Sequence, residues 1–133
     1  MKISVCVPVY NVEQYIERCA YSLFNQTYDD VEYIFVDDGS TDSSISILKS
    51  VIEKFPQREE QTKIITHPYN KGLSAARKTS ILASTGDYIS IVDSDDWIEH
   101  NMLEVMIKKA IEEDADITTC DFSHESDKGH LFI

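Results

Sequence analysis

Tyr33-Ile34-Phe35-Val36-Asp37-Asp38-Gly39-Ser40-Thr41-Asp42 begins as an unbroken apolar run and then changes abruptly to acids, a glycine and hydroxyls. The run over 33–36 is β-branched and aromatic, has strand length and shows no polar alternation. A strand buried on both faces reads this way. Gly39 allows a tight turn, and Ser40 or Thr41 can cap a helix that follows. That helix is legible as Ile45, Leu48, Ile52 and Phe55 on one face, with Pro56 as a stop.

The same alternation extends outward in both directions. Apolar runs over 3–7, 63–66, 88–92 and 117–119 have strand length. Between them, Val12, Ile16, Cys19, Ala20 and Leu23 form one helical face, a second periodic stretch runs over 73–84 before Gly86, and Leu103, Met106, Ile107, Ala110 and Ile111 form a third. Strand–helix alternation implies βαβ units with right-handed crossovers. The expectation is an α/β fold, Rossmann-like, with a mostly parallel sheet and helices on both faces. The 133 residues fit a single unit over 1–133. The tail after Asp121 loses periodicity and closes on Leu131-Phe132-Ile133, which reads as the start of a further strand that is cut off.

Composition narrows the function. The chain has 24 acidic and 12 basic residues, a formal net charge of −12. Such a balance excludes the basic stripe of a nucleic-acid binder and an electrostatic anchor on anionic lipid. It leaves room for a phosphate ligand, because a divalent cation inverts the local sign. Cys6, Cys19 and Cys120 form no C-x-x-C pair and read as free thiols of a reducing compartment. No stretch approaches the roughly 20 apolar residues of a spanning helix, and the amino terminus has no signal-peptide pattern. The expected location is cytoplasmic.

In an open parallel sheet, ligands bind beyond the carboxyl ends of the strands. Polar, turn-forming residues collect there four times: Pro8-Val9-Tyr10-Asn11, Asp37 through Asp42, Asn70-Lys71-Gly72, and Asp93-Ser94-Asp95-Asp96-Trp97. If the chain stays extended at Asp93 and Asp95, both carboxylates point to one side and can chelate a hard cation such as Mg²⁺ or Mn²⁺. An isolated D-x-D is more often a solvated turn. Three mutually repelling carboxylates at the end of a buried strand favour the cation. Asp37 or Asp38 can accept a hydrogen bond from an N–H donor such as the imide of uracil. Pro8 closes the first strand, Tyr10 can stack on a base, Gly72 brings backbone N–H groups towards a phosphate, and Lys71 or Arg77 supplies charge. His67, His100, His124 and His130 show no metal spacing and read as surface residues, and Trp97 as a packing anchor.

These motifs, with Asn70-Lys71-Gly72-Leu73-Ser74-Ala75-Ala76-Arg77 in full, resemble the ordered motif set of family 2 glycosyltransferases, which have the glycosyltransferase-A fold. The resemblance covers roughly residues 2–121. It implies an enzyme that moves a sugar from a nucleotide donor, read as UDP-linked, to an acceptor hydroxyl with inversion. It implies a divalent metal, Mn²⁺ or Mg²⁺, on the diphosphate. Pro8, Val9 and Tyr10 would line the base and Asp38 would hold the uracil N–H. Lys71, Gly72, Ser94 and Arg77 would face the donor, with Arg77 on the phosphate side or orienting the acids. Asp93 would contact the ribose or sugar and share the metal with Asp95, its main ligand. Lys78 stands where the family often has Asn, and His100 where a Pro commonly follows the Trp.

An inverting transfer needs a general base for the acceptor's proton. The resemblance places it beyond Ile133, so this chain is expected to be the donor-binding part of a larger domain and inactive or weakly active alone. The acceptor, a carbohydrate or a lipid-linked sugar, is not readable, nor is the sugar itself. The expected placement of the larger protein is peripheral to the inner membrane, with self-association of this part through its truncated face. The alternative is a non-catalytic module that binds nucleotide or a partner. A nucleotidyltransferase would want a glycine-rich loop at 9–13, an aspartyl phosphatase its D-x-D on the first strand, and a nicotinamide enzyme a G-x-G-x-x-G; none is present.

Overall fold

The computed structural model describes residues 1–126 and 129–132. Four parallel strands form one sheet in the order β3-β2-β1-β4: β1 (Ile3–Val9), β2 (Val31–Asp37), β3 (Thr62–Thr66) and β4 (Tyr88–Ile91). The connecting helices are α1 (Ile16–Phe24), α2 (Ser44–Glu53), the short α3 (Pro56–Glu59) and α4 (Leu73–Ala83), and α5 (Met102–Glu112) follows β4.

Every residue of β1 and β2 is buried, as continuous apolar strands require. Alternation sends Ile3, Val5, Val7, Val9, Tyr33 and Phe35 to one face, where they pack against Ile16, Cys19, Ala20 and Leu23 of α1, Leu48 and Val51 of α2, and Leu103 and Ile107 of α5. Ile34 and Val36 point to the other face and pack on Ala76 of α4. Helices therefore cover both faces. Phe24 meets Tyr33 and Phe55 edge-on or tilted, at centroid distances of 5.2 and 5.5 Å.

Several expectations change. Pro56 stops α2 but also opens α3, at the first-turn position where its missing N–H is tolerated. Pro8 does not close β1; it pairs with Val36, and the strand runs on to Val9. Cys6, two residues earlier, accepts from Val92 N–H on the β4 side, so the donor that Pro8 lacks faces the side where β4 has already ended. Residues 117–119 form no strand: Ile117 is 82% exposed and, among the described residues, no neighbour offers a ladder to this β-branched run. The apolar tail does form a strand, β6 (Gly129–Phe132), but it pairs antiparallel with β5 (Ser123–Ser126) in a separate hairpin. Ile133 lies outside the described residues. Arg18 ties the hairpin to α1 through Glu125 at 2.6 Å and lies over the half-buried Trp97 ring. No described helix is long and apolar enough to cross a membrane.

The amino ends of the strands are fastened by one buried acid. Glu32 accepts from the Ser4 hydroxyl at 2.6 Å and from Thr85 N–H at 2.6 Å, with Lys2 and Lys63 ammonium groups at 3.4 and 3.7 Å. Burial opposes its charge, but these hydrogen bonds and the Lys2 charge prevail and hold its carboxyl down to about 2. A carboxyl lowered in the fold stabilises it above the ordinary range near 4.5, and that contribution is lost as pH falls from there through about 2. Glu32→Gln is expected to lose about 1–3 kcal/mol at neutral pH. The gap to the parent should shrink steadily as acid unfolding curves are taken from pH 5 towards about 2.

Candidate functional site

At the carboxyl edge of the sheet, the loops after β1 and β2 are built on each other. Asn11, in the left-handed region at φ 48°, accepts from Thr41 N–H at 2.9 Å, and its own N–H donates to Ser40 Oγ. Asp37 accepts from Ser40 N–H at 2.9 Å. The start of α2 is capped by acids rather than by Ser40 or Thr41. Asp42 accepts from the N–H and hydroxyl of Ser44, and Glu13 from the N–H of Ser43.

Asp38 is the buried centre of this edge. Its Oδ1 accepts from His67 Nδ1 and from Lys71 N–H, both at 2.8 Å, and its Oδ2 from Gly72 N–H at 2.9 Å. Burial works against the charge, yet the His67 ring and the two backbone donors outweigh it and hold the carboxyl below the ordinary carboxylate range. Two expectations need correction. His67 is 7% exposed and so is not a surface residue, whereas His100 and His124 are exposed. The side chain of His130 lies outside the described residues. The Gly72 N–H is committed to Asp38 rather than left for a phosphate.

The acidic cluster is assembled by a turn, not by an extended strand. β4 ends at Ile91, and Asp96 N–H closes back on the Asp93 carbonyl at 3.0 Å. The turn therefore gathers Asp96 as well, and the carboxylates of Asp93, Asp95 and Asp96 lie within 4.8 Å of one another. Partial burial and the charges of Asp95 and Asp93 push the Asp96 carboxyl up. Three such oxygens suit a hard divalent cation. Arg77 reaches Asp93 Oδ1 at 3.0 Å, so it orients the cluster. The same acids, after burial, push the Cys19 thiol up to about 12, which makes it an inert packing group.

Pro8, Val9, Tyr10, Asp38, Gly72, Asp93, Ser94 and Asp95 line one cleft of about 260 Å³, together with Val12, Asn70, Leu73 and Ala76. The site residues singled out from sequence thus converge, except that Lys71 and Arg77 lie outside the lining. Lys71 is exposed, with its ammonium 5.4 Å from the centroid of the Tyr69 ring.

The model of glycosyl transferase family 2 matches residues 4–132. The chain belongs to this family. It is 41% identical over 131 residues to glycosyltransferase GlyA of Streptococcus pneumoniae, covering 98% of this chain and 18% of that protein. Among solved structures, S. aureus TarS in complex with UDP-GlcNAc superposes with a TM-score of 0.76 at 31% identity over 84% of this chain and 32% of TarS 1-349. A Pyrobaculum calidifontis mannosyltransferase in complex with GDP-Man and Mn²⁺ gives 0.75 at 27% over 82% of this chain and 32% of the other. The chain thus spans a third or less of these relatives. Its sheet and flanking helices have the glycosyltransferase-A architecture.

Gly39 sets how closely the 69–72 loop approaches. It adopts φ +76°, and a Cβ there would lie 2.9 Å from Asn70 N and the Tyr69 carbonyl carbon, backbone atoms that cannot turn aside. Gly39→Ala is expected to lose about 1–3 kcal/mol in denaturant unfolding. It should also release the Lys71 and Gly72 amides from Asp38, read as faster hydrogen exchange at both.

Proposed function

We propose that this chain holds the donor for an inverting, metal-dependent sugar transfer: a nucleoside diphosphate sugar, UDP-linked, with Mn²⁺ or Mg²⁺. The observation that carries the reading is the single cleft joining the 8–10 strand end, Asp38 and the acidic turn in a family 2 chain. The UDP-GlcNAc bound to TarS supports uridine, and the Mn²⁺ in the mannosyltransferase supports the cation. In this reading Pro8, Val9 and Tyr10 flank the base, and Asp38 accepts the uracil imide proton. Ser94 and Asp93 face the ribose or sugar, Lys71 the phosphates, and Arg77 orients Asp93. Asp95 and Asp93 hold the cation, which when bound neutralises charge on the leaving diphosphate. The residue that takes the acceptor's proton is not assigned among the cleft residues, and the proposal for this stretch, a third or less of its relatives' length, is donor binding. The acceptor is a carbohydrate or lipid-linked sugar, met on the cytoplasmic side of the inner membrane by a peripheral enzyme.

Calorimetry tests the reading. UDP is expected to bind in the presence of Mn²⁺, to lose at least about tenfold in affinity with EDTA, and to lose a similar factor in Asp95→Ala. Binding indifferent to both changes would overturn the metal assignment.

Copies of the chain are also proposed to associate through the outer edge of β4. Ile89 and Ile91 are 47% and 45% exposed there, beside a second cleft of about 300 Å³ that Ile117 also lines. Sedimentation velocity is expected to give a dimer that Ile91→Lys abolishes; a monomer at all concentrations would refute the contact.

A further inference from the structure

We infer that His67 is a positioning residue that fixes which nucleobase the cleft accepts, acting through Asp38. The inference rests on the donor reading above and adds a determinant of its specificity. His67 sits just past β3, where its backbone N–H donates to the Asp37 carbonyl at 2.8 Å and anchors it to the end of β2. Its ring is held at both nitrogens, Nδ1 to Asp38 Oδ1 and Nε2 to Thr79 Oγ1, each at 2.8 Å. An ionised Asp38 has no proton to give, so Nδ1 is the donor. In the neutral ring Nε2 then accepts the Thr79 hydroxyl proton.

Counting acceptor positions gives the consequence. Each carboxylate oxygen offers two lone pairs. Oδ1 of Asp38 is filled by His67 and Lys71, and Oδ2 accepts Gly72 and keeps one position. Asp38 lines the cleft and His67 does not. A single remaining acceptor recognises a ring N–H, as uracil carries at N3, and repels the bare N3 lone pair of cytosine. Its direction is set by the three bonds that hold the carboxylate, of which two come from backbone and one from a side chain. Without the ring, Oδ1 keeps only the Lys71 bond and regains an open position, so the carboxylate no longer offers a single acceptor and its aim rests on the two loop amides alone.

The test compares UDP, CDP and inorganic pyrophosphate, each titrated with Mn²⁺ into the parent, His67→Asn, His67→Phe and Thr79→Val. Asn keeps a donor near the place of Nδ1, Phe keeps only the ring's bulk, and Thr79→Val removes the partner of Nε2 without changing shape. The parent is expected to favour UDP over CDP by about ten- to a hundredfold, the range of one hydrogen bond to a charged group. His67→Phe should reduce that ratio by about fivefold or more while pyrophosphate affinity stays unchanged, and His67→Asn should retain it. Thr79→Val should lower the ratio by about two- to threefold. Where His67→Phe does not fold, Thr79→Val decides.

A merely structural role would weaken all three ligands together. That pattern, or an unchanged ratio in folded His67→Phe, overturns the inference. A parent that binds Mn²⁺-pyrophosphate but does not distinguish UDP from CDP overturns the base assignment itself, and His67 with it.

Discussion

One buried carboxylate organises the functional edge of this molecule. Asp38 is 2% exposed, and an unpaired charge at such a depth would be strongly unfavourable. It is tolerated because three donors converge on it from outside its own strand: the His67 ring just past β3, and the Lys71 and Gly72 amides before α4. Folding of the 67–72 segment and solvation of this charge are therefore one event. The approach also depends on an absence. Only a residue without Cβ leaves space at position 39 for the backbone of Tyr69 and Asn70, which brings the two amides within reach.

The two ends of the sheet solve opposite electrostatic problems. At the amino ends, Glu32 lies between Lys2, Lys63 and hydroxyl donors, so its charge is compensated inside the protein. At the carboxyl ends, Asp93, Asp95 and Asp96 crowd into one turn with Arg77 as the cation on Asp93. The first arrangement is a fastening. The second leaves carboxylates in excess of cations where the cleft opens, and the proposed divalent cation would offset that excess.

Much of this was legible because burial and period leave a direct mark. The continuous apolar runs of β1 and β2 had to be covered on both sides, and the acids after β2 and β4 had to sit at one edge. The failures have physical causes too. The stretch 117–119 has strand propensity but no ladder to join. The D-x-D spacing does not reveal whether the chain continues or turns, and the turn is what recruits Asp96. The cap of α2 came from Asp42 and from Glu13, the latter in a different loop, a contact that no local pattern encodes. His67 was missed because its partner is 29 positions away and a lone histidine has no spacing to read. The usable signal was its place, directly after β3, at the same strand-end edge that pointed to every other site residue.

The crowded turn after β4 has a consequence for how the two ligands of the proposed reaction relate. A diphosphate entering the cleft meets carboxylates in excess of the one cation among them, Arg77 on Asp93, and a cation entering meets acids whose mutual repulsion Arg77 offsets only in part. Neither ligand binds the cleft independently on that reading: each improves the field that the other encounters. Thermodynamic linkage then requires the benefit to be mutual, so the factor by which cation tightens nucleotide equals the factor by which nucleotide tightens cation. The turn would act as a coincidence detector, weakly occupied by either species alone and well occupied only when both are present.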